Sequence, residues 1–251
     1  MIFHVLGSGT TLPDGERGPA GFLVAHGSTR LLIDGGSGTL QRLARSGQPL
    51  LELDGGIYSH RHLDHCADLG PLLFTFKVLP RDRDYPLFGG TGLQDHLDGL
   101  RALHGRNLIS KRWQVPVTEL PLDGPGRCAL PGGLALDTRP ANHSAGALHL
   151  RITAPGGASV VFSGDTGPSP ALAELGEGAD LFVCECALAA EDPDIRHLWP
   201  QAVADAVAVA RPTRVLLTHF YPDVDEAEAL AVVTATGVPV ERAHDGMAVR
   251  L

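Results

Sequence analysis

Short apolar runs broken by glycine open the chain. Ile2–Leu6, Phe22–Ala25 and Arg30–Asp34 read as β-strands, each of a length that suits a buried strand. The pattern then lengthens. Ser37–Arg45 carries apolar residues at helical spacing, with Ser37 as the expected N-cap and Gly47 just past the end. Gly56–Ser59 is a short strand and Ala67–Phe76 a mostly apolar helix. Leu93–Leu103 is a further helix inside a segment of different character, Phe76–Arg112. Strands return at Gln114–Leu120, Leu134–Thr138, Ala147–Thr153 and Ser159–Ser163. From there strand and helix alternate: Leu181–Cys184, Pro200–Ala210, Arg214–Thr218, Asp225–Ala235 and a closing strand Met247–Leu251.

Strand runs in both halves, with helices between them, predict an α/β fold in which a sandwich of sheets is covered by helices. No repeat, low-complexity tract or linker interrupts it, so residues 1–251 are expected to form one domain. A hydrophobic content of 43% supplies a well-buried core, and the 31 Gly and 19 Pro mark turns between apolar runs.

Charge narrows the partners. A formal net charge of -9 gives no global attraction for a phosphate backbone, and 5% aromatic content leaves little material for stacking bases. Only a local basic patch could compensate. Lys77, Arg81, Arg83, Arg101, Arg106, Lys111 and Arg112 are the candidates, although such a charge run is ordinarily a solvated face. Cys66, Cys128, Cys184 and Cys186 form no C-x-x-C pair and read as reduced thiols. With an N-terminus that shows no signal-peptide regions, they lead us to expect a cytoplasmic protein. The apolar runs are too short to cross a membrane, so no membrane partner is expected.

The densest chemistry lies in Ser59-His-Arg-His-Leu-Asp-His-Cys66, where His60, His62, Asp64 and His65 fall within six residues. On a strand, His60, His62 and Asp64 would share a face but His65 would point away. On a helix, His60 and His62 would diverge by about 200°. A loop that leaves a strand and turns into a helix serves all four. Its natural product is a pair of neighbouring ions, with His60 and His62 on one and Asp64 and His65 on the other. Imidazole and carboxylate suit zinc, and also manganese or iron.

Further ligands must come from elsewhere, and candidates follow predicted strands: His143 in Ala141-Asn-His-Ser144, Asp165 in Val160-Val-Phe-Ser-Gly-Asp-Thr166, and His219 in Val215-Leu-Leu-Thr-His219. Polar residues at the ends of buried strands share one rim of a sheet, where a rigid scaffold displays a site. His4, His26, His96, His104, His149 and His244 do not group, although His244 lies near the C-terminus and could approach the metals. Cys66 reads as a small apolar packing residue.

The ordered set Asp34, His60-x-His62-x-Asp64-His65, His143, Asp165 and His219 resembles the metallo-β-lactamase superfamily over nearly the whole chain. The resemblance implies a four-layer αββα sandwich with two divalent ions, zinc first among them, on one edge. It implies that His60, His62 and His143 hold the first ion, that Asp64, His65 and His219 hold the second, and that Asp165 bridges them, with a shared water as nucleophile. Asp34 would support the site without binding metal.

Finer likeness points to the ribonuclease Z-like and cyclic-phosphodiesterase branch. Val5-Leu-Gly-Ser-Gly-Thr-Thr-Leu-Pro13 and Leu31-Leu-Ile-Asp-Gly-Gly-Ser-Gly-Thr-Leu-Gln-Arg-Leu43 resemble its first motifs. Cys184-Glu-Cys-Ala187 stands where it carries His-Glu-Ala-Thr, and Arg196-His-Leu-Trp-Pro200 where it has a His-containing loop before a helix. By that likeness His197 faces the substrate phosphate, orienting it or protonating the leaving oxygen, and Glu185 orients the imidazole. Catalytic roles thus fall on Asp64, His197, Glu185 and Asp34. A homodimer is compatible with the branch.

One departure matters. Ribonuclease Z carries a long tRNA-binding arm between the positions matching His143 and Asp165. Here 21 residues, 144–164, separate them and read as two strands and a turn. Without the arm, the expected substrate is a small phosphodiester, a cyclic nucleotide or an RNA end. The alternative is acyl hydrolysis on the same metals, as a lactonase, thioesterase or weak β-lactamase, although a bridging Asp165 argues against a true β-lactamase. Oxygen or nitric oxide reduction at a di-iron centre would call for Glu in place of His62 and for a flavin domain.

Overall fold

The computed structural model describes residues 1–251. Two seven-stranded sheets face each other. The first contains β1 (Ile2–Gly7), β2 (Gly21–His26), β3 (Thr29–Ile33), β4 (Gly55–Tyr58), β5 (Leu87–Gly90) and β6 (Val117–Leu120), and β14 (Ala248–Arg250) returns beside β1. The second contains β7 (Gly126–Ala129), β8 (Ala135–Pro140), β9 (Leu148–Thr153), β10 (Ser159–Phe162), β11 (Leu181–Glu185), β12 (Val215–Thr218) and β13 (Val240–Arg242). Each sheet is antiparallel at one side and parallel at the other: β3 to β6 run together, as do β10 to β13.

The continuous apolar runs of the sequence follow from strands buried on both faces. In β2, Phe22 and Val24 enter the core between the sheets, while Leu23 enters the core under the outer helices. In β11, Leu181 and Val183 face the other sheet, and Phe182 and Cys184 face helices. Phe22 sits at the centre of the sandwich, 5.4 Å from the Phe3 ring and 5.0 Å from the Phe162 ring of the opposite sheet. Truncating it to Ala should cost about 3–5 kcal/mol.

The helices α1 (Thr39–Arg45), α3 (Leu69–Val78) and α4 (Leu93–His104) cover the first sheet, with the single turn α2 (Leu63–Cys66) at its edge. The helices α5 (Pro170–Leu175), α6 (Pro200–Ala210) and α7 (Glu226–Thr234) cover the second. The result is the four-layer αββα sandwich, in a single domain.

Several local expectations are corrected. The N-cap position of α1 is Gly38, not Ser37. The capping acceptor comes from across the loop, where the Asp68 carboxylate takes the Gly38 and Leu40 N–H groups at 3.2 and 2.9 Å. The helix expected over Ala67–Phe76 is α3, shifted by two residues to Leu69–Val78, and the separate turn α2 before it carries Asp64 and His65. Three strands escape the apolar pattern: β5 is diluted by Gly89 and Gly90, β7 is short and polar, and β13 is a three-residue edge. The helix α5 was also missed, although Ser169 followed by Pro170 at its first position is a legible start signal.

The basic stretch is largely consumed by the fold. Arg81 is buried, donates to the carbonyls of Leu51, Leu53, Arg83 and Asp84, and lies 4.2 Å over the Phe76 ring. Arg112 donates to the Lys77 and Leu79 carbonyls at the end of α3, and Lys77 donates to the Ile109 carbonyl. Arg83 pairs with Asp54 and Arg101 with Asp98.

Candidate metal centre

The parallel strands of both sheets deliver their polar ends to one rim, the usual place for a site in such folds. Asp34 follows β3. Ser59, His60 and His62 lie on the loop after β4, and Asp64 and His65 on α2. His143 follows β8, Asp165 follows β10, Glu185 ends β11 and His219 follows β12. Asp34 and His219 turn sharply there, with φ of 52° and 60°, a region that side chains other than glycine occupy at a cost.

The structure brings together three sets of possible donors: Glu185, His197 and His219 form one, beside two sets that share Asp165. Of these two, His60, His62, His143 and Asp165 form one, and Asp64, His65, Asp165 and His219 the other, with the donor atoms of each set within 4.8 Å of one another. Asp165 belongs to both through different oxygens. Its Oδ2 lies 3.7 Å from His60 Nε2 and 3.9 Å from His143 Nε2, and its Oδ1 lies 3.2 Å from His65 Nε2 and 3.6 Å from His219 Nε2. Asp64 Oδ2 is 3.4 Å from His219 Nε2 and 3.8 Å from His65 Nε2.

These spacings fit an ion better than they fit hydrogen bonds. Ligand atoms about 2.1 Å from a common ion must lie roughly 3–4 Å from one another. His62 Nδ1 and His143 Nε2 stand 3.1 Å apart. The tautomers agree. His65 Nδ1 donates to Asp34 Oδ2 at 2.7 Å, and His143 Nδ1 to the Arg196 carbonyl at 2.9 Å, since neither acceptor carries a proton to give. Ser59 Oγ donates to Asp34 Oδ2 at 2.7 Å and so accepts from His60 Nδ1 at 3.1 Å. Each of these rings therefore turns an Nε2 lone pair inward, and the Nε2 atoms of His60 and His65 are buried without a hydrogen-bond partner. The residues present fit two divalent cations.

The electrostatics point the same way. Burial, reinforced by the neighbouring His65, holds His60 well below the usual imidazole value, so its lone pair stays free. Burial pushes the Asp165 carboxyl up, but His219, His65 and His60 outweigh it and leave it well below the usual carboxylate range. Burial opposes charge on His65 too, yet the carboxylates of Asp165 and Asp34 raise it well above the ordinary value. A cation would take the place of that proton. Burial pushes the Cys66 thiol up to about 11, and the thiol donates to the Arg61 carbonyl at 3.3 Å, so it packs as an apolar residue does.

Beside both sets lies His197. Its Nδ1 donates to Glu185 Oε1 at 2.9 Å, and its ring is 5.0 Å from the His143 ring and 5.7 Å from the His219 ring. Glu185 is itself pinned: Oε1 accepts the Thr166 N–H at 2.7 Å, and Oε2 accepts those of Ala187 and Leu198 at 3.2 Å each. Burial works to lower the His197 value, but the hydrogen bond and the charge of Glu185 raise it overall.

Other expectations fall outside. His244 is exposed, and its Nδ1 faces only the Asp245 carbonyl. His149 is fully buried, with Nδ1 donating to the Ser163 carbonyl at 2.6 Å. Four participants were not assigned roles from sequence. Ser59, Arg196 and Thr166 act through neighbours, and the Tyr221 ring stands 5.6 Å from His197 and 6.1 Å from His219. The position of Tyr221, two residues after a candidate ligand at a strand end, was the available signal.

Similarity to known proteins runs over the same residues. The beta-lactamase superfamily domain matches residues 29–220. The chain is 31% identical to the uncharacterized protein ML1173 of Mycobacterium leprae, over 87% of this chain and 77% of that one. It is 29% identical to a protein of Mycobacterium marinum named ribonuclease Z, over 96% and 95%. Its fold superposes on the metallo-beta-lactamase fold protein YhfI of Bacillus subtilis with a TM-score of 0.85, at 24% identity over 99% of both chains.

Proposed function

This chain belongs to the beta-lactamase superfamily and is a metal-dependent hydrolase; from that premise we propose that it cleaves phosphodiester bonds. His60, His62 and His143 would hold one divalent ion, zinc before manganese or iron, and Asp64, His65 and His219 the other, with Asp165 shared between them. When bound, the ions supply Lewis acidity toward water and toward the phosphoryl group. Asp34 and Ser59 hold the His65 and His60 rings in register. The observation that carries the reading is the Glu185–His197 pair, which sets an imidazole against both donor sets with Nε2 uncommitted. From there His197 gives its proton to the leaving oxygen of the ester, and Glu185 keeps that proton on the ring until it is needed.

Small phosphodiesters, cyclic nucleotides and RNA ends suit the site better than a folded tRNA. Between His143 and Asp165 the chain makes only the β9–β10 hairpin. Of the seven cations that might replace a tRNA-binding arm, Lys77, Arg81, Arg83, Arg101 and Arg112 are held in contacts within the chain, which leaves Arg106 and Lys111. No helix is long and apolar enough to cross a membrane, and the four cysteines are free, which supports a reducing compartment such as the cytoplasm. A homodimer belongs to the same reading and is read by sedimentation velocity.

The test is the zinc-loaded protein on bis-p-nitrophenyl phosphate, a 2′,3′-cyclic nucleotide, precursor tRNA, a lactone and nitrocefin. Turnover of the first two is expected. Turnover of the lactone or nitrocefin alone would move the assignment to acyl hydrolysis.

A further inference from the structure

His219 differs from four of the other inward-facing histidines. The second ring nitrogens of His60, His65, His143 and His197 are each tied to an acceptor, whereas His219 Nδ1 is buried with no partner. Nothing therefore holds this ring by its far side. Its direction is set by its backbone, which turns at φ 60° and is held by the His219 N–H donating to the Ser8 carbonyl at 3.0 Å. The Thr218 hydroxyl donates to the same carbonyl at 3.1 Å.

Ser8 is in turn fixed by one remote carboxylate. Asp245 Oδ1 accepts both the Ser8 N–H and the Ser8 hydroxyl at 2.9 Å. Asp245 Oδ2 accepts the Gly18 N–H at 2.9 Å and pairs with Arg42 Nε at 2.8 Å. The Gly18 carbonyl accepts the Gly9 N–H at 2.8 Å, which closes the loop around Ser8.

We propose that Asp245 is a positioning residue for the second metal site, holding His219 in its strained backbone conformation through Ser8. The inference rests on the reading of His219 as a ligand, but not on the substrate. Supporting groups one step from a metal commonly matter about 10- to 100-fold in metal affinity. The same scale is expected here, confined to the Asp64, His65 and His219 set.

The test measures metal, not turnover. Wild type, Asp245→Ala, Asp245→Leu and Glu226→Gln are loaded with zinc, dialysed against graded chelator and analysed for metal per chain, and the cobalt(II) forms are read by visible absorption. Glu226→Gln is the control, because it weakens one of the two ion pairs of Arg17, beside Gly18, without touching Ser8. Wild type and Glu226→Gln are expected to hold two equivalents. Asp245→Ala is expected to hold one tightly and the second about 10- to 100-fold more weakly, with half the cobalt d–d band changed. Asp245→Leu, which keeps most of the volume but cannot accept from Ser8, carries the same readings if the alanine variant does not fold. Asp245 variants that hold two equivalents at wild-type affinity, or that weaken both equally, would overturn the proposal. Wild type that binds fewer than two ions would instead overturn the dinuclear reading beneath it.

Discussion

His197 Nδ1 lies 2.9 Å from Glu185 Oε1, and that single contact fixes which ring nitrogen faces the donor sets. Replacing His197 by Ala should lower kcat about 10²–10⁴-fold on an ester with an alkoxide leaving group. The loss should be far smaller on bis-p-nitrophenyl phosphate, whose phenolate leaves without a proton. Equal losses on both substrates would remove the acid role.

The pH profile follows from the same contact. Because Glu185 raises His197, the protonated acid persists below that raised value and is lost as pH rises through it. Glu185→Gln removes the cause, so the alkaline limb of kcat should move to lower pH. A limb that stays in place would assign it to another group.

Asp34 supports His65 from a fully buried position at φ 52°. Asn tolerates that backbone region, whereas Ala does not. Asp34→Asn should therefore keep the fold and weaken the second metal about 10- to 100-fold. Asp34→Ala should also lose about 1–3 kcal/mol, because the Ser59 N–H and His65 Nδ1–H are left without their acceptor. Metal titration and urea unfolding separate the two effects.

Away from the site, burial pushes His149 down to about 4. The unfolded chain takes up that proton near 6.5 and the folded chain does not, so stability falls as pH drops from about 6.5 to about 4. The loss is on the order of 3 kcal/mol. His149→Asn can still donate to the Ser163 carbonyl but carries no such penalty. Its stability deficit at pH 7 should narrow toward pH 4 in metal-free urea titrations, and a constant gap would contradict this account.

Much of this was legible in the sequence, for identifiable reasons. Strands buried on both faces leave unbroken apolar runs, so β2, β3, β11 and β12 were found to within a residue or two at either end. Among the candidate donors, His60, His62, Asp64 and His65 are marked by their crowding and His143, Asp165 and His219 by following predicted strands, and the fold brings all seven together. What was not legible acts across the fold. Asp68 caps α1 from 28 residues beyond Leu40, and Arg112 closes the end of α3 from 35 residues beyond Lys77. Nothing local marks either pair. The basic stretch shows the converse, since within that run of charges Arg81 is buried and Arg81, Arg83 and Arg112 are bound to backbone carbonyls once folded.

The central claim is that Asp165 joins two donor sets into one catalytic centre, and a metal titration tests it most directly. Zinc is added in steps to chelator-treated protein while hydrolysis of bis-p-nitrophenyl phosphate is followed. The rate should stay low through the first equivalent, rise with the second and plateau at two, and Asp165→Asn should hold one equivalent or fewer and remain inactive. Full activity at one equivalent, or two bound equivalents with no turnover of any phosphodiester, would contradict the account.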